Sequence, residues 1–356
     1  MARSVTRFPR NVQRAALTGL AALTAACGDG ILVPNSGFEW PTTTAVAAGL
    51  DTALLAQLET RIADSYPNVN ALVIVRQGAV AWEWYPEGAD PTTAYDTHSI
   101  TKSAIATFIG EAIEDGAIRS LDQPMTELYP AIAGDDDVDP RFRSATLRHL
   151  LAMRSGLENE LTQRVPFTST ELVPRLTRLP LLFAPGEGWH YDMANSHILS
   201  GTLSRIRRAN VGTWANADLF QRLNIVHGHW VADHEGVSLG WTGLYLNARD
   251  LAKLGQLYLD DGVWLGDRIL PPGFAAAATA SVTPDADPLG NYGLHWWNTT
   301  MAGVEVWMAA GFRHQYILII PSRQAIVVMQ SESVSLRGDL KDHRVLLSEF
   351  LVPSIN

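Results

Sequence analysis

Apolar residues recur along this chain with two different periods, and each change of period marks an element boundary. Leu54, Leu55, Leu58 and Ile62 fall at helical spacing and predict a helix from about residue 50 to 65. Two β-rich runs follow, Ala71 to Arg76 and Ala79 to Tyr85, and the Gln77-Gly78 pair between them reads as a hairpin turn. A run of small and apolar residues then extends from Ala104 through Ile109, Ala112 and Ile113 to Gly116, the pattern of a buried helix with a glycine stop. From about 117 to 284 the pattern is one of helices and long loops, with helices expected at Leu147 to Met153, Ile198 to Ile206 and Ala248 to Leu259. Strand patterning returns in Tyr292 to Trp297, Val304 to Met308, Tyr316 to Ile320 and Ala325 to Met329, before a last helix from about 336 to 351. Strands near both ends with helices between them predict an α/β domain assembled from residues 46–116 and 285–356, carrying a mainly helical domain over 117–284. There are no internal repeats, and Asp135-Asp136-Asp137 reads as a solvated loop.

With 356 residues, 47% of them hydrophobic, the chain can bury a sizeable core and is not a disordered protein. Residues 1–26 carry Arg3, Arg7, Arg10 and Arg14 but no acid, then an apolar stretch from Ala15 to Ala26, then Cys27, the one cysteine of the chain. That order resembles a bacterial export signal ending in a lipoprotein cleavage site, and the apolar stretch is too short to stay as a membrane-spanning helix. Residues 27–45 then read as a tether, and the expected location is the periplasm or a membrane surface through lipid on Cys27. Thr24 stands where leucine is usual, so ordinary secretion is the alternative. Removing residues 1–26 takes the net charge from −10 to −14, which argues against nucleic acid and anionic lipid headgroups as partners. A lone cysteine leaves no internal disulfide.

Candidate chemistry lies just before the buried helix, where Ser99 and Lys102 stand three residues apart and so on one helix face. A serine hydroxyl needs a neighbour to take its proton, and lysine, unlike arginine, can do so when desolvated. The chain holds three lysines (102, 253 and 341) against 24 arginines, which makes a lysine here look chosen. Ser99 would sit at the helix N-terminus, where backbone N–H groups favour a developing oxyanion. The simpler role for such a serine is that of an N-cap.

Five further stretches carry a resemblance: His98 to Ser103, Thr146 to Leu157, Pro185 to Tyr191, Gly243 to Tyr258 and Tyr292 to Trp297. In this order they resemble the serine β-lactamase and penicillin-binding-protein superfamily, in the branch of class C β-lactamases, family VIII esterases and 6-aminohexanoate-oligomer hydrolases. The resemblance implies an α+β, β-lactamase/transpeptidase-like fold, an antiparallel sheet flanked by helices with a helical inserted domain. It implies Ser99 as the acylated nucleophile, Lys102 as the group that lowers its pKa or receives its proton, and Tyr191 as general base and proton donor to the leaving group. Met193 stands where the family often has asparagine, and Asn195 is the expected substitute. The third family motif is replaced by Ala310-Gly311-Phe312-Arg313-His314-Gln315-Tyr316, from which the resemblance implies a backbone N–H of His314 or Gln315 as the second oxyanion donor and Arg313 as the holder of a substrate carboxylate. Loss of that motif's lysine favours an ester or linear amide substrate, without a cofactor, over β-lactamase or DD-peptidase activity.

Two other patterns carry reactive residue types. His227-Gly228-His229 with Asp233-His234 has the residue types of a zinc site but not the binuclear spacing, and Leu223, Ile225, Trp230, Asp233 and Gly236 match a structural stretch of the family, so no metal is expected. Ser155-Gly156 and Ser196-His197 lack the Gly-x-Ser-x-Gly elbow of another hydrolase fold. A rival from a different class is a catalytically silent module of the same fold that binds peptidoglycan or another ligand.

Overall fold

The protein is described by a computed structural model over residues 37–158, 165, 169–225, 229–287, 289–332 and 342–356. The expected export signal, Cys27 and His227 lie outside these residues. Helix α1 (Thr52–Ser65) starts under the Asp51 carboxylate, which accepts the N–H groups of Ala53 and Leu54, and it buries Leu55, Leu58 and Ile62. The hairpin follows as β1 (Val69–Arg76) and β2 (Ala79–Trp84), with Gln77 and Gly78 both at positive φ in the turn. Helix α2 spans Ile100–Glu114 and buries its residues from Ile100 through Ala112. Helices α3 (Leu147–Leu151), α4 (Ala194–Arg207) and α5 (Ala248–Leu259) are the main helices of the middle region used below.

Six strands follow: β3 (Thr283–Asp287), β4 (Gly290–Tyr292), β5 (Trp297–Met301), β6 (Val304–Gly311), β7 (Gln315–Ile320) and β8 (Ala325–Ser331). With the first hairpin they form an eight-stranded antiparallel sheet in the order β2-β1-β8-β7-β6-β5-β4-β3. Both faces are covered. Val73, Val75, Ile317, Ile319, Ile326 and Val328 pack in one core with α2 and α5, whereas Leu72, Ile74, Leu318, Ile320, Val327 and Met329 pack in a second with α1 and the C-terminal helical segment. That double burial explains why the central strands read as unbroken apolar runs rather than alternating ones.

The structure departs from expectation in three places. Tyr292 to Trp297, read as one strand, is a strand end, a bend and a strand start: Gly293 sits so close to helix-end backbone that a β-carbon there would lie 2.2 Å from the Ala278 carbonyl oxygen, and His295 takes a left-handed φ of 59°. Residues 37–45, expected as tether, pack on the body, with Trp40 buried and its indole N–H donated to the Arg249 carbonyl at 3.1 Å. The last helix is an α turn (Arg344–Leu346), a π segment (Leu347–Leu351) and a final turn (Val352–Ser354), and the expected start at 336 lies outside the described residues.

Candidate active site

Ser99 occupies the residue before α2 but does not cap it: its backbone is helical (φ −66°, ψ −8°) and its hydroxyl makes no capping bond. The hydroxyl instead faces Lys102, whose Nζ donates to Ser99 Oγ at 3.1 Å. One helical turn therefore converts the three-residue spacing into a contact. Lys102 is 2% exposed, and among the described residues it has no carboxylate within ion-pair distance. Its Nζ lies 4.8 Å from the centroid of the Tyr191 ring, so the amine bridges the serine and the tyrosine.

Tyr191 is held by aromatic packing: its ring stacks on Trp297 (5.9 Å, 28°) and meets Tyr292 edge-on (5.9 Å, 89°). Burial, with Tyr191 and Asp192 nearby, holds the Tyr292 phenol well above its ordinary pKa, so this neighbour stays uncharged. The loop carrying Tyr191 is sewn to the segment after α3, because His190 donates its backbone N–H to the Met153 carbonyl (2.9 Å) and Gly186 to that of Arg154 (2.8 Å). Gly156 permits that approach, since a β-carbon there would sit 2.0 Å from the Phe183 carbonyl oxygen.

Beside Ser99, Tyr191, Leu289, Trp297, Ala310, Gly311, Phe312 and Tyr316 line a cleft of about 270 Å³. None of these lining residues is an acid, a lysine, an arginine or a histidine. The end of β6 touches the nucleophile's backbone: a β-carbon on Gly311 would lie 2.5 Å from the Thr97 carbonyl oxygen and 3.3 Å from the Ser99 nitrogen. Gly311 and Phe312 lie inside the Ala310 to Tyr316 stretch, and only the closeness of the two segments singles them out.

The remaining expected site residues lie outside this lining. His314 stacks on His343 with ring centroids 4.0 Å apart, and the Gln315 side-chain amide donates to the Ser331 carbonyl. Asn195 is fully buried; its amide binds Asp192 and lies 3.6 Å from the Met153 sulfur, and its backbone N–H donates to Asp192 Oδ1 at 2.7 Å. Arg313 follows Phe312 at a left-handed φ of 60°, with its guanidinium 5.9 Å from the Phe312 ring, at the rim rather than in the cleft. In the other pattern, Asp233 pairs with buried His197 at 3.0 Å, and His229 packs against Tyr245.

One neighbour of the site went unread. His295 is fully buried, its Nε2 3.0 Å from Ser196 Oγ, and its carbonyl accepts the Ser103 hydroxyl at 2.6 Å. Burial, followed by the charge of Lys102, pushes its pKa down to about 3, which keeps the imidazole neutral. Its place in the Tyr292 to Trp297 stretch was visible in the sequence; its inward turn was not.

Comparison with known proteins places the chain in a family. The Beta-lactamase family model matches residues 55–349. The chain is 25% identical over 313 residues to a 6-aminohexanoate-dimer hydrolase from Paenarthrobacter ureafaciens, covering 78% of this chain and 75% of that protein. Among solved structures, EstCE1, a hydrolase with promiscuous acyltransferase activity, superposes with a TM-score of 0.69 at 15% identity, over 87% of this chain and 100% of its own. An octameric penicillin-binding protein homologue from Pyrococcus abyssi gives 0.67 at 17% identity, over 85% and 76%.

Proposed function

Because this chain belongs to the Beta-lactamase family, whose members here are hydrolases, we propose that it is an exported serine hydrolase that forms an acyl-enzyme on Ser99 and cleaves an ester or linear amide bond. The observation that carries this reading is the buried Lys102 amine held between the Ser99 hydroxyl and the Tyr191 ring at the edge of a cleft. In this reading Ser99 Oγ attacks the substrate carbonyl while its proton passes to Lys102 or Tyr191. In the same reading the tetrahedral oxyanion is met by the backbone N–H groups of Ser99 and of Phe312, the residue that follows Gly311 where β6 comes against Thr97 and Ser99. Collapse expels the alcohol or amine with a proton from Tyr191, and water then attacks the acyl-enzyme by the same proton route in reverse. The uncharged lining supports an ester or linear amide over a carboxylate-bearing β-lactam, and the relative named for 6-aminohexanoate dimer supports a linear amide among the substrates.

The test is covalent trapping. A fluorophosphonate should add a single adduct to the wild type, located on Ser99 by peptide mass spectrometry, and Ser99→Ala should lose both the adduct and p-nitrophenyl ester turnover while keeping its circular-dichroism spectrum. An adduct on another serine would overturn the assignment. A folded wild type that takes no adduct would favour the silent binding module.

A further inference from the structure

Resting on that reading, we propose that His98, braced by Asp96, is a positioning residue that holds the backbone N–H groups of Ser99 and Phe312 in register for the oxyanion. His98 precedes the nucleophile at a left-handed φ of 47°, a conformation that suits glycine and strains a residue bearing a β-carbon. A histidine kept where glycine would fit the backbone better points to work done by its side chain. The imidazole meets the Phe312 ring edge-on, with centroids 5.7 Å apart and planes at 79°. Phe312 is 72% exposed, and beside the pairing of Gly311 with Gln315 this ring contact is a side-chain tie between the end of β6 and the residue before Ser99.

The brace comes from Asp96. Its Oδ1 accepts the backbone N–H of His98 at 2.8 Å and that of Gly243 at 3.0 Å, and its Oδ2 lies 3.5 Å from His98 Nδ1 and 3.4 Å from the Thr242 hydroxyl. One carboxylate thus fixes both the strained backbone before Ser99 and the ring that touches Phe312. Beyond Phe312 the chain turns through two more left-handed residues, Arg313 and His314, so each side of the oxyanion site ends in strained backbone. The His98 to Phe312 contact ties these two ends together, across the gap where Gly311 lets them approach.

The test uses His98→Gly, which relieves the backbone strain and removes the ring, and reads binding of phenylboronic acid, which forms a tetrahedral adduct on the serine. The expected result is a Kd weakened ~10-fold and kcat for a p-nitrophenyl ester lowered by a similar factor, short of the 100-fold or more that follows outright loss of a donor. KM should stay within about 2-fold and the melting temperature should not fall. In a Phe312→Ala background, where the partner ring is already gone, His98→Gly should add less than about 2-fold to the loss in boronate affinity. Equal boronate affinity in the wild type and His98→Gly, or an undiminished loss in the Phe312→Ala background, overturns the proposal even when the wild type is labelled on Ser99. A wild type that neither takes the fluorophosphonate nor binds the boronate overturns the hydrolase reading as well.

Discussion

At the scale of single residues, the choice of lysine at position 102 is the sharpest statement this chain makes about its chemistry. With three lysines against 24 arginines, the chain carries most of its positive charge on arginine. Lys102 fills a space bounded by the Ser99 hydroxyl at 3.1 Å and the Tyr191 ring at 4.8 Å, which a planar guanidinium cannot enter without displacing one of them. Lys102→Arg should therefore be nearly as inactive as Lys102→Ala, each losing ~100-fold or more in kcat, the scale of lost acid–base assistance. Steady-state ester hydrolysis checks this. Recovery of most of the rate in Lys102→Arg would rule out proton transfer by this residue, and wild-type rates in Lys102→Ala would remove it from the mechanism.

At the scale of the element, α2 carries the nucleophile at one end and a different kind of strain at the other. Glu111 is buried, and among the described residues neither carboxylate oxygen has a hydrogen-bond partner; Arg222 stands 3.6 Å away. Burial, with Asp218 adding to it, pushes its pKa from 4.5 up to about 8, against the opposing pull of Arg222 and Arg207. The folded state therefore prefers the protonated acid. This preference helps stability fully below about pH 4.5, and the benefit is lost progressively as pH rises through about 8. Glu111→Gln keeps the shape and removes the titration, so its melting temperature should match the wild type at pH 5 and exceed it by ~5 °C at pH 9. Parallel pH profiles for the two proteins would contradict the burial of a charge there.

At the scale of the whole molecule, the sheet draws strands from both ends of the chain and places the helical region against one face, so that α2 carries Ser99 to the end of β6. The proposed export of the chain rests on the sequence of residues 1–27 and is tested separately. If Cys27 is the lipidated residue, the full-length protein expressed in a bacterial host should partition into detergent, and Cys27→Ser should become water-soluble after processing. A processed wild type that is already water-soluble would indicate ordinary secretion, and an unprocessed cytoplasmic chain would contradict export.

Much of this was legible in the sequence, because it depends on local spacing. Apolar patterning located α1, the first hairpin, α2, α5, β7 and β8 to within about two residues of their ends and placed β6, but stopped β6 at Met308, three residues short of its end at Gly311, since small residues 309–311 carry little apolar signal. The Ser99 to Lys102 contact was legible for the same reason: one turn of helix fixes it. Whatever depends on two distant segments meeting was not. Gly311 and Phe312 matter because β6 ends against residues 97–99, more than two hundred positions away, and no local pattern reports that contact. His295 reads as part of a strand until Gly293 presses against Ala278 and turns it toward α2, and the pairing of Asp233 with His197 on α4 has no signal in local spacing. The sequence by itself determined which candidate groups the chain carries; only the tertiary structure decided which chain segments come against Ser99 and which polar side chains are taken up by packing, because those outcomes depend on close approach between distant segments rather than on residue type.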